Sequence, residues 1–260
     1  MGFFTGNRPW VIAHRGLALQ AVENTLEAFR AALLAGATHL ETDVQASRDL
    51  KAFLWHDSDL TRLTGRAVRV ADLSAVELGS IDLGGGSRIA TLEQALLTFP
   101  DARFNIDVKD ARCAAAVVDV IRRTGSADRV LITSFSRARR RLVTDALKQV
   151  ATSPAAAEVF PIMVAARLAG TKTLLRATRG FQAVQMPEFY GPLRLIDPSI
   201  VLKLHRVGVD VHVWTVDNPD DMKRLLDMGV DGIVTNRTDL LSRVAHGQNR
   251  TQGPWSDNPL

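Results

Sequence analysis

A (β/α)8 barrel, the TIM-barrel architecture, with a small insertion after the second strand, is the α/β fold class this sequence predicts. Three observations predict it. Short apolar runs alternate with amphipathic stretches from the start to about residue 240. The alternation gives eight strand-like runs within 260 residues, the count and length of one barrel closed by right-handed crossovers. The competing doubly wound sheet usually carries a G-x-G-x-x-G turn after its first strand, and "HRGLALQA" from residue 14 has none.

In chain order the strands are read at "WVIAH" from residue 10, "HLETDV" from 39, "RFNIDVK" from 103 and "RVLITSF" from 129, then at "QVATSP" from 149, "FQAVQM" from 181, "VDVHVWTV" from 209 and "DGIVTN" from 231. Each is a short run of β-branched and apolar residues bounded by turn-forming ones. Between them lie the helical patterns "NTLEAFRAALLAG", "TLEQALLTF", "ARCAAAVVDVIRRTG", "SRARRRLVTDAL", "AAEVFPIMVAARLAG", "DPSIVLKLHRVG" and "NPDDMKRLLDMG". Several open on Asn, Asp, Ser or Thr and stop at Gly, as helix caps require.

The segment from about 50 to 90 breaks the rhythm, and about 57–90 is read as an insertion over the barrel mouth. Its "GGGS" at 84–87 is a flexible turn rather than a phosphate cradle, because no Gly-Lys-Ser/Thr follows. Residues 1–245 form one domain in this reading, and 246–260 a polar tail.

Composition narrows the function classes. With 46% hydrophobic residues the chain buries a sizeable core, and 32 basic against 28 acidic side chains leave a net charge of only +4, which does not imply nucleic acid. The basic cluster "SRARRRL" (136–142) is read as a solvated helix face, with peripheral contact to an anionic membrane surface left open. The lone Cys113 forms no internal disulfide and reads as a small core residue in a reducing compartment. The first ten residues carry neither a basic leader nor a long apolar run. Nor does any uncharged run reach the ~18 residues of a spanning helix, so a cytoplasmic protein is expected.

The chemistry concentrates on strand ends. In "LETDV" the period of two sets Glu41 and Asp43 on one face, against Leu40, Thr42 and Val44. In "FNIDVKD" it sets Asn105, Asp107 and Lys109 together, against Ile106 and Val108. Two like charges so placed raise at least one carboxyl pKa unless a cation sits between them. Glu41, Asp43 and Asp107 would make an all-oxygen site for one divalent cation, Mg²⁺ or Ca²⁺. A structural charge network with Arg15 and Lys109 is the alternative. His14 ends the first strand and His56 the extra strand in "FLWHD". Such a pair is able to accept and donate protons on two sides of one displacement. Arg15 and Lys109 then point to an anionic substrate, as in phosphoryl transfer. His39, His205, His212 and His246 are read as packing or surface residues.

From about residue 10 to 240 the ordered motifs "AHRG", "ENTLEAF", "GATHLETDVQASRD", "HDSDLTRLTG", "TLEQAL", "NIDVK", "SF", "VWTVD" and "DGIVTNRTD" resemble the glycerophosphodiester phosphodiesterase family. The resemblance implies metal-dependent hydrolysis of a small glycerophosphodiester to sn-glycerol 3-phosphate and an alcohol. It implies His14 and His56 as the acid/base pair, Arg15 and Lys109 on the phosphate, and Glu41, Asp43 and Asp107 on the metal. By the same resemblance Glu23 and Asn24 shape the site, Asp57 orients His56, and Phe135 and Trp214 line the glycerol pocket. Three positions depart from the family pattern: Asp107 stands for the usual Glu, Leu50 for a Gly, and Asp217 for an Asn. Two further readings stay open. One is a lysophospholipase D-type activity on acylated lipids, whose apolar groove the insertion would supply through Leu73, Val76, Leu78 and Ile81. The other is a catalytically silent barrel that binds phosphate esters or docks on membranes.

Overall fold

The computed structural model describes residues 2–248. Its barrel strands are β1 (Trp10–Ala13), β2 (His39–Ala46), β3 (Arg103–Val108), β4 (Val130–Thr133), β5 (Ala151–Thr152), β6 (Ala183–Met186), β7 (Asp210–Val213) and β8 (Gly232–Thr235). All their pairings are parallel, and the sheet runs unbroken from β5 through β1 and β8 to β6. At the seam between β5 and β6 the Gln182 amide donates to the Thr152 carbonyl at 3.2 Å, and the Gln182 side-chain oxygen accepts from the Thr152 amide at 3.0 Å.

The expected helices form as α1 (Leu26–Leu34), α2 (Leu92–Thr98), α3 (Ala114–Arg123), α4 (Arg137–Thr144) and α5 (Ala156–Leu168). Three helices follow: α6 (Thr171–Ala177), α7 (Pro198–His205) and α8 (Pro219–Asp227). A last helix, α9, spans Thr238–Gln248, so part of the expected tail is helical, and its residues 249–260 lie outside the described residues. Caps set several starts: the side chains of Thr25, Thr91, Asp197 and Asn218 accept from amides of the first turn. Among the described residues no helix is long and apolar enough to cross a membrane.

Alternation along the strands divides the interior. Leu40, Val44, Phe104, Ile106, Val108 and Ile132 point outward and pack with Phe29, Ala32, Val117 and Ile121 of the surrounding helices. The alternate residues point to the barrel axis. At its amino end the interior is plugged by aromatic packing, with Phe3 against His39 at 4.5 Å and Trp10 against His39 at 5.1 Å. Burial drives His39 down to about 3, so it is neutral, and its Nε2 meets the Phe3 carbonyl at 2.8 Å.

The insertion is a small unit with its own core. Ala52–Leu54 pairs antiparallel with the end of β2, and Phe53, Trp55, Leu60, Val70, Leu78, Ile81 and Ile89 pack together behind it. Leu78 and Ile81 are therefore spent inside this core and do not line a groove, which corrects the sequence expectation. Gln45 Nε2 donates to the carbonyls of His56 and Asp57, each at 3.0 Å, and fixes the loop that carries them.

The arginine cluster of α4 is also only half a solvated face. Arg140 is buried, with Glu158 at 3.0 Å and Thr152 Oγ1 at 3.2 Å, and Arg139 turns in to the Lys109 carbonyl and Ser134. Arg137 and Arg141 remain exposed. A guanidinium is able to bury its stem on a helix flank and still find acceptors, which charge counting does not see.

Leu50, in the turn after β2, has φ of 60° although it is not glycine. The left-handed conformation costs an ordinary L-residue roughly 1–2 kcal/mol, part of which glycine loses again through its unfolded-state freedom. The Leu50 side chain is 51% exposed and gives up little on removal. Leu50→Gly is expected to stabilise the protein by about 0.5–1 kcal/mol, read as a higher denaturant midpoint at unchanged slope.

Candidate active site

At the carboxyl ends of the strands lies a cavity of about 890 Å³. His14, Arg15, Glu41, Asp43, His56, Asp107, Lys109, Phe135 and Trp214 all line it. Glu23 and Asn24 do not; both stand behind it and hold residues that do. The convergence follows from register, since β2 and β3 pair with Glu41 beside Asn105 and Asp43 beside Asp107. Two in-register carboxylate positions on neighbouring strands lie on one face by necessity.

The loop after β1 shapes the next part. Arg15 has φ of 56° and Gly16 of 84°. A Cβ on Gly16 would lie 2.7 Å from the Ala28 backbone, so this loop closes onto α1 only with glycine there. The turn returns the Arg15 amide to Glu41 Oε2 at 2.9 Å and sets its Nε 3.0 Å from Asp43 Oδ2. Asn24, at φ of 58°, donates from Nδ2 to Asp43 Oδ2 at 3.1 Å and accepts from Thr42 Oγ1 at 2.7 Å.

Lys109 Nζ bridges the acids, 3.0 Å from Asp43 Oδ1 and 2.6 Å from Asp107 Oδ2. Convergence and charge pairing are thus both present. Burial pushes Lys109 down, but Asp43 and Asp107 outweigh it and hold the ammonium above its ordinary value. Burial also pushes Asp43 up, yet Lys109 and Arg15 hold it below the usual range. Glu41 fares differently. Burial, then the negative charge of Asp43 and of Asp107, lifts its carboxyl well above the usual range. Asp107 is raised mainly by burial, against Lys109.

Among the described residues no three His, Cys, Asp or Glu side chains are grouped to hold a metal ion. The donor chemistry nevertheless suits a hard cation. Asp107 Oδ1 and Asn105 Oδ1 are buried without a hydrogen-bond partner, and Glu41 lies among more negative charge than the two cations cancel.

The histidines have different partners. His56 Nδ1 meets Asp57 Oδ1 at 2.7 Å, and Arg62 Nε reaches the other Asp57 oxygen at 2.6 Å. Arg62 also grips Glu23 at 2.6 Å, and Glu23 grips Arg15 Nη1 at 2.9 Å, so one chain of ion pairs joins Arg15 to His56. His14 Nδ1 instead meets the amide oxygen of Asn236 at 2.7 Å. Asn236 Nδ2 donates to Asp217 Oδ2 at 2.7 Å, which fixes that amide's orientation. Burial, then the charge of Arg15, lowers the His14 pKa. Sequence reasoning missed Arg62, Asn236 and the role of Asp217. Asn236 had a signal, as a polar residue directly after the last strand at the carboxyl end of the barrel. Phe135 and Trp214 stack edge to face at 5.8 Å, and Lys109 Nζ lies 5.3 Å from the Phe135 ring centre.

Residues 14–240 match the model of the glycerophosphoryl diester phosphodiesterase family. The chain is 40% identical to the protein called probable glycerophosphodiester phosphodiesterase 2 of Mycobacterium tuberculosis, over 90% of this chain and 89% of that one. A glycerophosphodiester phosphodiesterase of Arabidopsis thaliana is 30% identical over 88% of this chain and 70% of its own length. The fold is shared with the glycerophosphodiester phosphodiesterase of Agrobacterium tumefaciens, at TM-score 0.76 and 24% identity over 91% and 99% of the two chains. It is shared too with an Oleispira antarctica phosphodiesterase solved with sn-glycerol-3-phosphate, at TM-score 0.73 and 22% identity over 91% and 96%.

The His14 environment carries a direct expectation. Its imidazole, followed by NMR, is expected to titrate below the ordinary 6.5. Arg15→Ala removes one of the two causes and is expected to move the midpoint back up; an unchanged midpoint would contradict the electrostatic account.

Proposed function

Because the chain belongs to the glycerophosphoryl diester phosphodiesterase family, we propose that its cavity hydrolyses glycerophosphodiesters to sn-glycerol 3-phosphate and an alcohol by paired histidine catalysis. The observation that carries the reading is the convergence of two imidazoles, three carboxylates, a guanidinium and an ammonium on one cavity. A phosphodiester needs its negative charge held, an oxygen nucleophile relieved of a proton and a leaving oxygen supplied with one.

The partners of the two histidines divide these tasks. His14, with Nδ1 donating to Asn236, keeps its Nε2 lone pair for the cavity, and its lowered pKa keeps it neutral. It is the base. His56 has a carboxylate behind it, and Asp57 stabilises the imidazolium that a general acid must be. It is the acid. Arg15 holds one phosphate oxygen from a position braced by Glu23. Lys109 takes another once it turns from the acids it now bridges.

Glu41, Asp43 and Asp107 are the residues that would hold a divalent cation, Mg²⁺ or Ca²⁺. Their all-oxygen chemistry, the partnerless Asp107 Oδ1 and the raised Glu41 carboxyl support this assignment. When bound, such an ion polarises a phosphoryl oxygen as a Lewis acid. Asp107, one methylene shorter than glutamate, reaches less far from β3. The bridging Lys109 reads in this light as the counter-charge that the acids otherwise require.

His14→Ala and His56→Ala are each expected to lower kcat on glycerophosphocholine by roughly 10²–10⁴ at unchanged circular dichroism. Near-wild-type turnover in both would remove the acid/base assignment. Chelation with EDTA is expected to abolish turnover, and added Mg²⁺ or Ca²⁺ to restore it. A silent barrel would instead bind glycerol phosphate and form no product with any ion.

A further inference from the structure

Arg62 is not among the residues that line the cavity, yet it grips two side chains that stand directly behind residues that do. The segment "HDSDLTRLTG" from residue 56 explains its place. Asp59 Oδ1 accepts from the Thr61 amide at 2.9 Å and starts a single helical turn, Thr61–Thr64, which Gly65 ends at φ of 69°. Leu60 is buried in the core of the insertion. Arg62, two residues on, leaves that core and reaches the loop between β1 and α1. The Asn24 amide closes this loop by donating to the Arg15 carbonyl at 2.9 Å, which sets Glu23 beside Arg15.

All three guanidinium nitrogens of Arg62 are used. Nε donates to Asp57 Oδ2 at 2.6 Å, Nη2 to Glu23 Oε1 at 2.6 Å and Nη1 to Glu23 Oε2 at 3.1 Å. Each carboxylate has a second partner, and both of those partners line the cavity. Glu23 Oε1 also accepts from Arg15 Nη1 at 2.9 Å, and Asp57 Oδ1 meets His56 Nδ1 at 2.7 Å. Arg15 belongs to the barrel and His56 to the insertion, so one side chain spans the two parts.

Stability does not account for this arrangement. The Arg62 side chain is 44% exposed, and exposed ion pairs add little to folding because water screens them and two long side chains must be ordered. A fork of donors held on two carboxylates does fix direction. Gripped through Oδ2, Asp57 turns its other oxygen to His56, and a carboxylate behind an imidazole orients the ring. Glu23 is affected through charge as well. Burial pushes its carboxyl up, but Arg62 and Arg15 outweigh it and hold Glu23 below the usual range. Without Arg62 the whole of that negative charge falls on Arg15 and competes with a substrate phosphate for it.

We propose that Arg62 is a positioning residue of the reaction: through Asp57 it aims the His56 imidazole, and through Glu23 it sets Arg15 for the phosphate. A single guanidinium on the insertion thereby holds the acid and the phosphate grip in register with each other. The inference rests on the hydrolase reading above and keeps its displacement. The oxygen of water bonds to phosphorus, the bond to the leaving alcohol breaks, and His56 gives that alcohol its proton. A lysine at residue 62 would keep the charge but lose the fork, since an ammonium is a point charge without the planar set of donors.

The test is kinetic. Arg62→Lys and Arg62→Gln are each expected to lower kcat on glycerophosphocholine by roughly 10–100-fold and to raise KM roughly fivefold. Circular dichroism is expected to be unchanged and the denaturant midpoint close to wild type. A structural role would slow every substrate alike, whereas misdirection of an acid would not. For a glycerophosphodiester whose leaving group is p-nitrophenol, the loss in kcat is expected to shrink to about threefold or less, because nitrophenolate departs without a proton. In an Asp57→Asn background, Arg62→Lys is expected to add less than about twofold to the loss in kcat, since both changes break the same link. Millimolar guanidinium is expected to restore part of the turnover of Arg62→Ala and to leave wild type unaffected. Wild-type kcat and KM in the variants, or equal kcat losses with choline and nitrophenol leaving groups, would overturn the assignment and leave the hydrolase reading standing. Loss of the native circular dichroism in all three variants would make Arg62 a residue of the fold and overturn it too. If the wild-type protein forms no product from either substrate with any divalent ion, the hydrolase reading falls and this inference falls with it.

Discussion

Three carboxylates buried at the ends of two adjacent strands are tolerable only with positive charge among them, and the surrounding structure is organised by that requirement. Lys109 answers it from β3's own end, bridging Asp43 and Asp107, and Arg15 answers it from the loop after β1. Neither cation is left loose. Arg15 is clamped by Glu23, Glu23 by Arg62, and Arg62 by Asp57, which also holds His56. The charge that stabilises the acids is thus continuous with the charge that positions an imidazole on the insertion. Two cations do not cover three acids, however, and the deficit falls on Glu41, whose carboxyl is raised well above its usual range.

The parts of this arrangement that are periodic were legible in the sequence. Alternation in "LETDV" and "FNIDVKD" placed the acids and Lys109 on one face, and the parallel register of β2 with β3 then made them neighbours. His14 and His56 were legible because polar residues that end apolar runs have no place in a core. Features lacking a period were not. The strands of the hairpin at Phe189–Arg194 are two residues each, too short for alternation to register. Helix α6 has seven residues and no side-chain cap at Gly170. Helix α5 was visible as a helix, yet nothing in its sequence told that Phe160, Met163 and Val164 line the cavity.

Long polar side chains were the second source of error. Arg140 looked like part of a solvated cluster because local composition does not show that Glu158, eighteen residues on, stands within 3.0 Å. The insertion likewise offered Leu78 and Ile81 as groove residues, but a segment of that length must first bury its own apolar side chains to be ordered at all. In both cases the demand of the fold for satisfied and buried groups came before any demand of the site. The barrel shows the same priority at its other end. There Arg8, Asp210, Asp231 and His205 pair with one another below the floor of Trp10 and His39.

Asp217 shows how a departure from a family pattern is judged by its bonds. Its Oδ1 accepts from Thr235 Oγ1 and from the Asn236 amide, both at 2.8 Å, while Oδ2 accepts from Asn236 Nδ2 at 2.7 Å. All three partners are donors, so an acceptor-only carboxylate satisfies them where an amide would present one oxygen and a misplaced NH₂. Because Nδ2 of Asn236 is committed to Asp217, only its oxygen is left to face His14, and an oxygen demands the proton on Nδ1. The tautomer of the imidazole that faces the cavity is therefore determined two hydrogen bonds away, by a side chain that touches neither the cavity acids nor the imidazole itself.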